Sequence, residues 1–260
     1  MDAGALTGLA AQLPGFVLVF ARMTGFLVSA PIFGGPYAPA QVKVLLGVAL
    51  SICAYPAATA ATAIIAPDAG FLLLVVQEAA LGLALGWLVS LLSHGVRMGG
   101  ELISRYAGFT AAENFDPDAD IGSGPFADLL FIALVLLFFA TDTHHHLIAA
   151  LVGSYGALPL GEAALGSGTA LHAAAIGVQQ SVAASCALAF PVLGVVMAIT
   201  VVEGVLTRAV PQLNMLHVSF TIKIILSLVV TIAGLPAIIA FLHTILARMR
   251  DLMHGALTAF

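Results

Sequence analysis

Between residues 44 and 66 no side chain carries a charge. A helix needs only about 20 such apolar residues to cross the hydrocarbon core of a bilayer. The composition agrees with that reading. Of 260 residues, 61% are hydrophobic and 8% charged, whereas soluble domains carry about 25% charged residues. Eight basic and 13 acidic side chains are too few to cover a water-soluble fold of this size. The expected fold is therefore all-α and of integral membrane type. A net charge of −5 without any basic cluster argues against nucleic acid as a partner. Cys53 and Cys186 lie far apart in apolar runs, where small buried hydrophobes are expected and not a disulfide framework.

About six hydrophobic helices are expected, near residues 13–33, 44–66, 71–93, 126–152, 169–202 and 215–246. The stretch MDAGALTGLAAQLPGF carries an acid where a cleavable signal has basic residues, so the first segment is expected to stay as a mature helix. The fourth segment is a poor span. Its uncharged part, residues 129–141, reaches only about 20 Å as a helix, against about 30 Å of hydrocarbon. The fifth is too long for one crossing and contains Pro191, where a kink is expected. With the N-terminus outside, Lys43, Arg97, Arg105 and Arg208 fall in or beside cytoplasmic loops, but Arg248 and Arg250 fall outside. That conflict with the positive-inside rule suggests a re-entrant hairpin or helices packed in protein.

Gly82, Gly86 and Ser90 lie four residues apart, a spacing that lets another helix approach closely, and Gly95 and Gly99 repeat it. Arg97, Glu101 and Arg105 follow at helical spacing, so Glu101 is placed to pair with both arginines. Glu78, Glu203 and Lys223 are ionisable groups at or near apolar segments. They suit an ion path or helix-to-helix pairing. TDTHHH at 141–146 raises a metal site, but consecutive residues point about 100° apart on a helix, so the three histidines cannot all chelate one ion easily, although Asp142 and His146 share a face. A polar cluster, with Asp142 accepting from His145 or His146, is the expected arrangement. No metal or cofactor is expected. Around the acidic stretch 109–125, Asp116, Asp118, Asp120 and Gly122 suggest a calcium loop, yet Ile121 and Ala127 stand where such a loop needs Gly and Glu. No nucleotide-binding, hydrolase or metalloprotease motif is present, and no enzyme activity is expected.

Three stretches in combination are more specific: GGELISRYAGFTAAENFDP (99–117), TDTHHHLIAAL (141–151) and LTRAVPQLNMLHVSFTIKI (206–224), with FARMTGFLVSAPIFGG and APAQVK ahead of them. Their order and spacing resemble the FliR family, the flagellar member of the type III secretion export gate, and its injectisome counterparts. The resemblance covers most of the chain. It implies a bacterial inner-membrane protein at the base of a flagellum or injectisome. There it would join FliP-like and FliQ-like subunits, and FlhB-like and FlhA-like export components, in a channel for unfolded secreted proteins. It implies one export-gate domain, 1–260, with a FliP-like part (about 1–165) and a FliQ-like C-terminal hairpin (about 169–246). The loop 106–122 is implied to help plug the closed gate. In it Phe109 and Phe115 would be stoppers, Gly108 and Gly122 would let the backbone bend, Pro117 would stiffen it, and Asp116 and its acidic neighbours would keep it wet. Pro211 and Gln212 fit the turn between the two last helices, and Lys223 fits the family's cation, while Thr221 stands where the family often has Pro. The alternative without the resemblance is a small secondary transporter or ion channel using Glu78, Glu203 and Lys223. A metal-dependent membrane enzyme using Asp142 and the histidines is a third class.

Overall fold

The computed structural model describes residues 3–35, 39–60, 70–109, 124–161, 168–209 and 215–259. Among them there are eight helices and no strand: α1 (Ala3–Ser29), α2 (Ala40–Ala60), α3 (Phe71–Ala107), α4 (Pro125–Ala140), α5 (Thr143–Ala157), α6 (Gly168–Ala209), α7 (Met215–Ala233) and α8 (Leu235–Ala259). Each of the six apolar segments contains helix among the described residues. The difference from six is that the fourth and the sixth are each broken once. Four helices are long and apolar enough to cross a membrane, or six spans if each broken pair counts as one.

Each break has a local cause. Between α4 and α5, Asp142 takes the left-handed conformation, with φ 51°, which a short polar side chain tolerates better than others do. The next turn restarts as His145 and His146 donate to the Asp142 carbonyl at 3.0 and 3.3 Å. Between α7 and α8 the chain turns at Gly234, whose N–H closes the last turn of α7 on Val230 O at 2.9 Å. Pro236 sits in the first turn of α8, where its missing N–H costs nothing. Pro191 does not end α6, which continues to Ala209.

The chain forms two compact units, and α3, α6 and α8 supply residues to both. The first unit comprises Met1–Leu91, Thr141–Val178 and Ala247–Phe260. In it α1 packs on α2, and α2 on α5, around Leu18, Val19, Met23, Phe26, Leu81, Leu85, Leu151 and Tyr155, all buried. The α1–α2 turn is held by Lys43, whose Nζ donates to Gly34 O at 3.1 Å and Gly35 O at 2.8 Å, so the lysine satisfies carbonyls beyond the end of α1. Arg248 and Arg250 are half-buried on a part of α8 whose Met249, Met253 and Ala256 are in the core. The second unit comprises Leu92–Ala140 and Gln179–Leu246. Gly95 and Gly99 of α3 there lie against the backbone of Ser181 and Ser185 on α6.

Candidate functional site

In the first unit two charges are buried together. Arg22 on α1 and Glu78 on α3 are both fully buried, with Arg22 Nε 2.6 Å from Glu78 Oε2. The guanidinium also donates from Nη1 to Ser154 Oγ and from Nη2 to Leu158 O, each at 3.1 Å, and lies 4.4 Å from the Tyr155 ring centroid. Glu78 Oε1 accepts the Gly161 N–H at 2.9 Å. Gly161 has φ +85°, a conformation that favours glycine. Each carboxylate oxygen thus has a donor and the arginine has three acceptors, which is what burying such a pair requires. Glu78 was expected to be an intramembrane charge of unassigned partner. Its partner is Arg22, and the sequence signal was there: one opposite charge in each of two apolar segments. Which helices meet at which residues is not written in either segment, so the pairing could not be read.

Small residues make that crossing possible. A Cβ on Gly82 would run into the Arg22 carbonyl and one on Gly86 into Phe26 O and Ser29 Oγ, while Gly25 of α1 lies against the Ala79 carbonyl. The helix that Gly82 and Gly86 admit is α1 of the same chain. Ser90, buried, turns its hydroxyl back to Trp87 O at 2.7 Å.

In the second unit α3 ends in a Schellman turn. Gly108, φ +92°, donates to Arg105 O at 3.2 Å and Phe109 donates to Ser104 O at 3.0 Å, the paired bonds that close a helix through a left-handed glycine. Residues 110–123 lie outside the described residues, and with them Phe115, Asp116, Pro117 and Gly122. The chain returns at Gly124, which lies against the Ser104 side chain, and starts α4 with Pro125 at its first position. The Phe126 N–H, a first-turn donor without a helical acceptor, donates to Ser104 Oγ at 3.0 Å. The Phe109 and Phe126 rings meet edge to face at 5.6 Å. Ser104 therefore holds both ends of the acidic stretch, one by its carbonyl and one by its hydroxyl. Sequence reasoning missed it, because a serine inside a helix carries no mark of what lies twenty residues on.

The remaining charges sort by place. Arg97 meets Asp128 of α4 at 3.9 Å and stacks over Phe131 at 4.3 Å, where Glu101 had been the expected partner. Glu101 is half-buried and Arg105 exposed, and among the described residues neither joins an ion pair. Glu203 on α6 pairs with Lys223 on α7 at 3.1 Å and accepts from Ser219 Oγ at 2.8 Å, so two of the three residues considered for an ion path hold a helix pair together. Arg208 is exposed. Asp142 meets His145 Nδ1 at 3.3 Å, and His146 is exposed. Pro211 and Gln212 lie outside the described residues.

Three relatives align along nearly all of the chain, each called flagellar biosynthetic protein FliR. The one from Pectobacterium carotovorum subsp. carotovorum is 29% identical over 94% of this chain and 92% of its own. That from Bacillus subtilis (strain 168) is 25% identical over 94% and 95%, and that from Escherichia coli (strain K12) 27% over 89% and 88%. Residues 13–249 match the family described as bacterial export proteins, family 1, a span that includes the Arg22–Glu78 pair, the Ser104 junction and the Glu203–Lys223 pair. The chain belongs to the bacterial export proteins, family 1.

Proposed function

We propose that this chain is the FliR-type subunit of a type III protein-export gate in the bacterial inner membrane. It forms, with FliP-like and FliQ-like subunits and alongside FlhB-like and FlhA-like components, the channel for unfolded substrates, with residues 106–122 helping to plug it when closed. The part up to about residue 165 is the FliP-like portion and residues 169–246 the FliQ-like hairpin. The flagellar names of the relatives favour a flagellum over an injectisome. The subunit performs no catalysis.

The observation that carries this reading is the family match over residues 13–249. The plug role draws support from the junction at Ser104. The two ends of the stretch are fixed to one residue of α3 and to each other through Phe109 and Phe126, as the anchors of a plug would be. The transporter alternative draws less support, since both oxygens of Glu78 are engaged within the chain.

A tagged chain drawn from its native membrane in mild detergent is expected to bring FliP- and FliQ-like proteins with it. A lone chain or a homo-oligomer would overturn the gate. In assembled complexes, deleting residues 110–120 is expected to let ions or small dyes leak across the membrane. A tight membrane carrying the assembled deletion variant would overturn the plug and leave the gate standing.

A further inference from the structure

The start of α5 brings three metal-ligating side chains together. Asp142 precedes the helix in a left-handed conformation, so its carboxylate does not follow the helical register of the histidines after it. Oδ1 lies 3.3 Å from His145 Nδ1. The rings of His144 and His145 lie 4.0 Å apart, tilted by 36°. One ligand atom from each of Asp142, His144 and His145 lies within 4.8 Å of the other two. His146, which helical spacing alone would have paired with Asp142, is outside this group.

In a tetrahedral site with bonds of about 2.0–2.2 Å the ligand atoms stand roughly 3.5 Å apart. Asp142 and His145 already meet that spacing, and the His144 ligand atom, within 4.8 Å of both, is near enough for a side-chain rotation to close the rest. The side chains of Asp142 and His145 are each 71% exposed, so nothing in the chain itself covers them or fills the open positions of an ion held there. Two imidazoles and a carboxylate suit zinc, nickel or copper. Calcium and magnesium prefer a shell of oxygens.

We propose that Asp142, His144 and His145 form a binding site for a divalent transition-metal ion, zinc foremost, on the turn that opens α5. The bound ion replaces the contact between His145 Nδ1 and Asp142 Oδ1 and pins the left-handed residue to the first turn of the helix.

The test uses the full chain, carrying no histidine tag, in detergent or in whatever complex it purifies with. It is stripped with a chelator and titrated with Zn²⁺ and then Ni²⁺ by calorimetry, with elemental analysis of the product. About one ion per chain is expected. Asp142→Asn keeps a residue that tolerates the left-handed conformation and removes the anionic ligand. It is expected to weaken binding by about tenfold or more, as are His144→Ala and His145→Ala, with His146→Ala close to wild type. Unchanged helical content by circular dichroism shows that each variant is folded. The proposal fails if His146→Ala weakens binding as much as His145→Ala, since the ion would then be reading a run of histidines and not a site. It also fails if the unmodified chain takes up no stoichiometric ion.

Discussion

Arg22 and Glu78 are costly side chains to bury, and each is tolerable only because of the other. Removing one partner leaves an uncompensated charge, with a penalty of about 3–5 kcal/mol. Glu78→Ala and Arg22→Ala are therefore each expected to cut the yield of folded chain sharply in a membrane-fraction immunoblot. The double variant Arg22→Met with Glu78→Met is expected to recover much of it, because no charge is then stranded. This separates a structural pair from a proton or ion path. A path residue would leave Glu78→Gln abundant but inactive, and the double variant no better. Gly161 belongs to the same unit of function, since its N–H reaches Glu78 Oε1 from a backbone conformation strained for other residues.

At the scale of elements, the crossing of α1 and α3 depends on the absence of side chains. Gly82 and Gly86 lie on the α1-facing stripe of α3, and their missing Cβ atoms are where the α1 backbone sits. Gly82→Ala is expected to destabilise by about 1–3 kcal/mol, as overpacking does, because the obstacle is backbone and cannot rotate aside. Gly86→Leu is expected to separate the helices, pulling apart the Arg22–Glu78 pair, whose Glu78 is two turns back on the same stripe. Limited proteolysis of detergent-solubilised chains measures this. A protease-resistant Gly86→Leu chain would mean that the crossing relaxes more easily than its geometry implies. The elements themselves were largely legible, because uncharged runs of bilayer length have few alternatives. The shortfall of the 129–141 run marked the fourth segment as a poor span but did not show that it breaks at Asp142. The break at Gly234 was readable from the Gly-Leu-Pro at 234–236, yet the apolar run across it concealed it. The charge partners were less legible. Glu101 stood at the right spacing for Arg97, but Asp128 of another helix took it, and no spacing along one helix reports its neighbours.

For the whole molecule the decisive quantity is the length of exposed apolar surface. Along α6, large apolar residues are exposed from Leu171 through Val182, Phe190, Met197 and Val201 to Val205 and Leu206. That path is about 50 Å at 1.5 Å per residue, against a hydrocarbon core of about 30 Å. A tilt of about 40°, near the limit for membrane helices, still leaves it near 40 Å. Lipid tails alone cannot cover it, so part of this helix needs protein, as a subunit of a larger assembly would provide. The C-terminal end is the better candidate, since Val201 and Val205 are 68% and 66% exposed and sit beside the Glu203–Lys223 pair, which already joins α6 to α7. Val205→Trp distinguishes the two environments. Fluid acyl chains rearrange around an added indole, whereas a close-packed helix interface does not. The variant is expected to reach the membrane at normal abundance and to lose the FliP- and FliQ-like partners proposed for it in a mild-detergent pull-down. Undiminished recovery of those partners would place Val205 against lipid and move the protein-covered stretch toward the Leu171 end of the helix.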